Sequence, residues 1–293
     1  MFRRLLSKDV LARVWARAIR DDVFGRSAQL SYYFLLALFP LLFFLITLFG
    51  YFAGAGSSLQ HKLITYLGSI IPGSALRLVI ATIEEVVAAR GSGKLSFGLM
   101  AALWAASSGM NALGQTLNVA YDVPETRPWW KVRLISVGLT VALAVLIVSA
   151  LLIVLYGGRL GNFLAGAVDE SDAFAIVWRV LQWPIAFAFV FLGFDLIYQF
   201  APNLAARRRG GHLPAADYRR RWFSPGVLIA VILWLLVSLG FRLYLHFFNS
   251  YSATYGSLGA LIILMLWFYL TGAAILLGGE INCELESQNK PSA

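Results

Sequence analysis

The sequence predicts an all-α, polytopic membrane protein with six transmembrane helices. Hydrophobic residues make up 59% of the 293 positions and charged residues only 13%, whereas a soluble domain is about a quarter charged. Six apolar stretches each exceed the roughly 20 residues that a helix needs to cross a bilayer core. The spans are 27–53, 95–121, 132–157, 173–201, 223–248 and 255–283. They form one membrane domain, 27–286, followed by a short tail, 287–293.

The distribution of positive charge predicts the orientation. Seventeen of the 24 Lys and Arg residues lie before span one, in the gaps after spans two and four, and in the C-terminal tail. Short loops rich in Lys and Arg stay in the cytoplasm, so we expect both termini there. The net charge of +9 is then explained by anionic headgroups. Membrane lipids are the expected partners, and nucleic acid is not.

Two amphipathic segments flank span one. In the N-terminal segment, 1–26, one helical face is apolar and consists of Val10, Leu11, Val14, Trp15, Ala18 and Ile19. The opposite face is charged and consists of Arg13, Arg17, Arg20 and Asp21. This pattern is typical of a helix lying on the inner membrane surface, with a regulatory or partner-binding helix as the alternative. The gap 57–94 predicts an outer amphipathic helical hairpin, which is either a lid or an inert interfacial element.

Polar residues inside the spans are the candidate functional residues. In span two, Asn111, Gln115 and Asn118 recur at i, i+4 and i+7 and share one helical face. The other candidate residues lie near the ends of other spans; they are Gln29, Asp195, Tyr198, Gln199, Asn203, Glu280 and Asn282. Charged residues inside a membrane usually face the helix bundle or water. These residues form either a polar vestibule open to the cytoplasm or ordinary helix-to-helix hydrogen bonds. Pro40 is either a hinge in span one or a packing kink.

Signatures of soluble enzymes and of cofactor sites are absent from the sequence. It contains no HExxH, no GxSxG and no phosphate-binding glycine loop. Its three histidines are scattered, and the lone Cys283 excludes a disulfide within the chain and any CxxC site. We therefore expect neither enzymatic activity nor a cofactor or metal.

Several short motifs resemble those of one known family. They are 27–33 (SAQLSYY), 38–40 (LFP), 255–260 (YGSLGA) and 279–282 (GEIN), together with Asn118, Tyr121, Trp183, Pro184, Tyr198, Pro202 and Asn203. Together they resemble the YihY/BrkB family of bacterial inner-membrane proteins, over nearly the whole chain. The family's usual residue before the glutamate is alanine, and here it is Gly279.

The resemblance implies a six-helix protein of the bacterial inner (plasma) membrane, in agreement with the spans. A former label of the family, ribonuclease BN, is regarded as mistaken, and the resemblance supplies no catalytic or binding residues. Our leading prediction is movement of a lipid or small solute across or within the membrane through the vestibule. The alternative is a non-transporting envelope scaffold that binds a protein partner or a second copy of the chain; a membrane hydrolase is a weaker third hypothesis.

Overall fold

The structure is a computed structural model, and it describes residues 7–53, 65, 80, 93–168, 171–206, 224–247 and 251–288. In this part of the chain all regular structure is helical. The seven helices are α1 (Lys8–Arg20), α2 (Val23–Ala53), α3 (Gly93–Ala120), α4 (Trp129–Val168), α5 (Ser171–Phe200), α6 (Pro225–Phe247) and α7 (Tyr251–Gln288). The all-α class predicted from the sequence is confirmed. Most of the predicted outer hairpin, 57–94, lies outside the described residues.

Five of these helices are long and apolar enough to cross a membrane. The candidate spans are Val23–Leu45, Trp129–Val154, Val180–Phe200, Pro225–Tyr244 and Leu261–Ser287. The second predicted span, 95–121, corresponds to α3, which is a helix but is not among the five. Its length of 28 residues is sufficient. The helix is not apolar enough, because its small and polar residues lower its mean hydropathy. The polytopic membrane architecture is therefore supported by five helices of the described residues, and the crossing of the membrane by α3 stays a prediction.

The helical residues group into two compact units, and the boundaries between them fall inside four helices. Unit one comprises Met1–Ala37, Ser107–Leu139 and Phe191–Ala293, and unit two comprises Leu38–Ala106 and Thr140–Val190. All ten polar candidates belong to unit one. In unit two, Pro40 lies within the continuous helix α2, and the buried side chains include Phe44, Ala144 and Val148. The hinge role of Pro40 remains a prediction.

Helices α6 and α7 of unit one approach each other at two glycines. A Cβ atom added at Gly278 would lie 2.6 Å from the carbonyl oxygen of Gly226 and would also collide with the Tyr198 hydroxyl. Farther along the same pair, Trp267 Nε1 donates to Ser238 Oγ at 3.4 Å. The two contacts show that α6 and α7 run antiparallel. Close backbone approach at small residues is the usual way in which membrane helices gain packing energy.

Helix α3 uses small residues in the same way. A Cβ at Gly279 of α7 would lie 3.2 Å from Leu117 Cδ2 of α3, and one at Gly109 of α3 would lie 3.1 Å from Ala37 Cβ of α2. A Cβ at Gly114 would lie 3.2 Å from the carbonyl oxygen of Ala201. The small residues that lower the hydropathy of α3 are thus the ones that let it pack within unit one.

Candidate functional site

Arg17 of α1 inserts among acceptors from α3 and α7. Its Nε donates to Glu280 Oε2 at 2.9 Å, and its Nη2 donates to Asp122 Oδ2 at 3.0 Å and to the carbonyl oxygen of Ala120 at 3.2 Å. The Arg17 side chain is 15% exposed and that of Glu280 is 0% exposed. Burial acts to lower the pKa of Arg17, but Cys283, Glu280 and Asp122 raise it above its ordinary value. The guanidinium therefore stays charged and compensates a buried carboxylate.

Two further arginines attach α1 at its surface. Arg13 Nε lies 2.6 Å from Glu284 Oε1, and Arg20 Nη2 lies 3.0 Å from Asp122 Oδ1. Arg20 also pairs with Asp21 at 2.8 Å. Burial acts to raise the pKa of Asp21, but the Arg20 hydrogen bond and charge hold it below its ordinary value. Since Arg13 and Arg20 are about half exposed, each contributes less than Arg17 does. The helical period places all three arginines on one polar face, but it does not reveal that Arg17 is buried.

An asparagine network joins the end of α3 to the segment after α5. Asn118 Nδ2 donates to Glu125 Oε2 at 2.9 Å, and Asn118 Oδ1 accepts from the backbone N–H of Asn203 at 2.6 Å. Asn203 in turn donates to the carbonyl oxygen of Pro124 at 3.0 Å. Burial acts to raise the pKa of Glu125, but hydrogen bonds from Arg127 hold it below its ordinary value. Asn118 and Asn203 are buried, so they bind two chain segments together.

Asn282 of α7 also binds chain segments together, at the start of α6. Its Nδ2 donates to the Tyr121 hydroxyl and to Ser224 Oγ, both at 2.9 Å, and its Oδ1 accepts from the Gly226 N–H at 2.8 Å. The last bond satisfies a backbone donor in the first turn of α6, where the helix itself offers no acceptor. Nearby, the buried Tyr198 hydroxyl donates to the Ile275 carbonyl oxygen.

Asp195 and Gln199 form a buried pair one helical turn apart on α5. Gln199 Nε2 donates to Asp195 Oδ2 at 2.6 Å, and the two residues are 2% and 5% exposed. The other amide atom, Gln199 Oε1, is buried without a hydrogen-bond partner among the described residues. An unsatisfied buried acceptor is costly, so this pair differs from the asparagine networks.

Asn111 and Gln115 lie farther from the end of α3 than Asn118 does, and together with Ser108 they are less buried than Asn118. Gln115 is exposed, and Ser108 and Asn111 are partly buried. We call Ser108, Asn111 and Gln115 the α3 polar stripe. Arg133 of α4 borders it, with Nη1 3.4 Å from Ser108 Oγ. Neither Ser108 nor Arg133 was among the residues selected from the sequence, where Arg133 counted only as a topological charge.

The ten candidates differ in how far they are buried. Seven are buried in unit one: Asn118, Asp195, Tyr198, Gln199, Asn203, Glu280 and Asn282. Asn111 and Gln115 belong to the α3 polar stripe, and Gln29 is exposed on α2. Sequence spacing suggested that Asn111, Gln115 and Asn118 act together. Instead Asn118 turns into the packing, and the other two remain accessible.

Comparison with known proteins gives a consistent assignment. The family model described as "Virulence factor BrkB" matches residues 14–293. The chain is 39% identical over 280 residues to the "Putative ribonuclease-like protein YfkH" of Bacillus subtilis, covering 96% of both chains. It is 29% identical over 282 residues to a UPF0761 membrane protein of Xanthomonas campestris, covering 92% of this chain and 58% of that one. The chain therefore spans little more than half of the Xanthomonas relatives. No solved structure matches it.

Proposed function

The chain belongs to the virulence factor BrkB family of membrane proteins, and we propose that it moves a lipid or small polar solute across or within the membrane. The observation that supports this is the accessible α3 polar stripe bordered by Arg133. We further propose that it acts in the bacterial inner membrane with both termini in the cytoplasm. Bacterial relatives and the bias of Lys and Arg toward alternate gaps support that placement.

The depth of the stripe argues for a polar environment beside it. Ser108 and Gln115 lie 12 and five residues before the end of α3 at Ala120, or about 18 Å and about 8 Å along the helix axis. Amide side chains at such depth are costly against hydrocarbon, and they usually face a protein interior or water. An accessible stripe of this kind is suited to a cargo that carries its own polar groups.

Arg133 favours a phosphate-bearing lipid over a neutral solute. It lies one turn after Trp129 and Trp130, which are exposed at the start of α4. Exposed tryptophans of this kind are typical of the membrane–water interface, where headgroups lie. Guanidinium groups bind phosphate oxygens through paired, charge-assisted hydrogen bonds. A headgroup held at Arg133 could slide past the amides of Asn111 and Gln115.

The buried polar residues have a different place in this proposal. Asn118, Asn203 and Asn282 hold the helices of unit one, while Asp195, hydrogen-bonded by Gln199, is the candidate for a functional intramembrane charge. In this proposal the stripe on α3 and the buried pair on α5 are the functional part of the vestibule, and a vestibule built from all ten residues stays a prediction.

A second function, that of a non-transporting envelope scaffold, is favoured by the asparagine networks. Their donors and acceptors satisfy one another within unit one, as expected where polar residues only bind helices together. In that case the α3 polar stripe would bind a transmembrane helix of a partner protein or of a second copy.

Reconstitution in liposomes separates the two functions. Scrambling of a fluorescent phospholipid and ion flux are measured for the wild type, for Arg133→Gln, and for Asn111→Leu combined with Gln115→Leu. Loss of a charged hydrogen bond costs about 1.5–3 kcal/mol, so Arg133→Gln should slow scrambling about 10- to 100-fold. Leu134→Ala is the matched control, because Leu134 is the adjacent exposed residue, and it should leave the rate unchanged.

The scaffold predicts the opposite results. Neither flux nor scrambling would then exceed that of protein-free liposomes, and Gln115→Cys would cross-link to a partner or a second copy in native membranes. If both stripe variants scramble lipid at the wild-type rate, the stripe is not the lipid path. Transport by another path would then still hold.

A further inference from the structure

Helix α1 keeps an apolar stripe exposed beside the face that packs on the protein. Leu11, Trp15 and Ile19 are 55%, 55% and 59% exposed, and their spacing of four places them on one side of the helix. Phe24 of α2 extends the stripe, since its ring lies 5.9 Å from that of Trp15 in an edge-on arrangement. We call Leu11, Trp15, Ile19 and Phe24 the α1 apolar stripe.

The stripe is not the face with which α1 packs on the protein. That face consists of Val10, Val14 and Ala18, which are 3%, 8% and 0% exposed. The apolar face predicted from the sequence is therefore divided into a protein-facing half and an exposed half. The orientation is fixed by Arg13 and Arg17, whose ion pairs with Glu284 and Glu280 hold another side of the helix.

We propose that the α1 apolar stripe is a binding surface for the headgroup region of an anionic phospholipid bilayer. The stripe is continuous with a membrane-spanning surface, because Phe24 belongs to the candidate span Val23–Leu45 and is itself 40% exposed. Tryptophan and leucine on a basic helix are the residues that enter this interface. Lys8, an exposed cation one helical turn before Leu11, complements the lipid charge, whereas Arg13 and Arg20 already pair with carboxylates.

Site-specific fluorescence quenching tests the proposal. A small fluorophore is attached to Leu11→Cys on the stripe or to Ala16→Cys, an exposed position of α1 outside the stripe. Both are made in a Cys283→Ala background and reconstituted in vesicles of phosphatidylethanolamine and phosphatidylglycerol. Brominated acyl chains should quench the Leu11→Cys probe several-fold more than the Ala16→Cys probe. Aqueous iodide should show the reverse order.

Equal quenching of the two probes by iodide would overturn the proposal. So would cross-linking of Leu11→Cys between two copies, because a second chain would then cover the stripe. If Cys283→Ala reduces the amount of folded protein, the probes are introduced into the wild-type background. There Cys283 is 1% exposed, and the labelling stoichiometry of the unmodified protein shows whether it reacts.

Discussion

Arg17 and Glu280, 263 positions apart in the sequence, form an ion pair with 2.9 Å between Nε and Oε2 in which the carboxylate is fully buried. The pair joins α1 to α7, the first and the last of the helices that the structure describes. Removing one partner of a buried pair leaves an uncompensated charge, which costs far more than an exposed pair contributes. This contact is therefore the most sensitive electrostatic point of unit one.

Arg17→Gln should destabilise the protein by about 3–5 kcal/mol, because Glu280 is left buried without its counter-ion. Arg20→Gln is the matched control on the same helix, and at its half-exposed site we expect a loss of about 1 kcal/mol or less. Unfolding in detergent micelles measures both. The double variant Arg17→Gln with Glu280→Gln should recover part of the loss. Equal destabilisation by the two single arginine variants would refute the assignment.

The reactivity of the Cys283 thiol measures whether Arg17 keeps α1 packed against α7. It is the only cysteine in the chain, it is buried, and its Sγ lies 3.1 Å from Arg17 Nη2. Arg17→Gln should therefore raise the rate of maleimide labelling in native membranes several-fold. Lys8→Gln, at the exposed start of α1, should leave the rate unchanged. If Arg17→Gln labels at the wild-type rate, α1 does not shield this thiol.

Replacement by alanine should destabilise the protein more at Gly278 of α7 than at the adjacent Gly279. Gly278→Ala collides with the backbone of Gly226, which cannot move aside, so we expect a loss at or above the usual 1–3 kcal/mol for overpacking. Gly279→Ala meets the side chains of Leu117 and Ala120 at 3.2 and 3.3 Å, and small shifts relieve that contact. Size-exclusion profiles and melting temperatures of both variants test this. A larger loss for Gly279→Ala would contradict the packing described.

Glu125 should make stability depend on acid pH. Its folded-state pKa is held by Arg127 below the ordinary value of 4.5. Its contribution is therefore complete above that value and is lost as the pH falls through the lower folded-state pKa. Glu125→Gln should be less stable than the wild type at about pH 7 and should converge with it at a pH below the lowered folded-state pKa of Glu125. A stability difference that is the same at both pH values would exclude the ion pair as its source.

Asp195→Asn tests the intramembrane charge without removing the hydrogen bond, since the new amide oxygen can still accept from Gln199. If transport needs the charge, lipid or ion movement in liposomes is lost while membrane abundance stays at the wild-type level. Wild-type activity of this variant would remove Asp195 from the mechanism. Glu280→Gln is a poor counterpart, because the loss of its pair with Arg17 changes stability directly.

The distribution of the candidate residues shows how far sequence reasoning reached. Asn118 and Gln115 are three residues apart and equally polar, yet one is buried in a network and the other is exposed. Spacing along a helix groups residues by side, but it does not reveal where a neighbouring helix covers that side. The contact between Ser108 and Arg133 was not predicted for the same reason, since it depends on how α3 and α4 pack.

The sequence by itself determined the all-α class, the positions of the apolar spans and the amphipathic character of α1, because length, hydropathy and helical period are local properties. The tertiary structure alone decided that Arg17 is buried against Glu280, that Asn282 binds the start of α6, and that the apolar face of α1 is divided. These outcomes depend on contacts between residues far apart in the chain. Their energies arise only when packed helices remove particular polar groups from water and supply the partners that satisfy them.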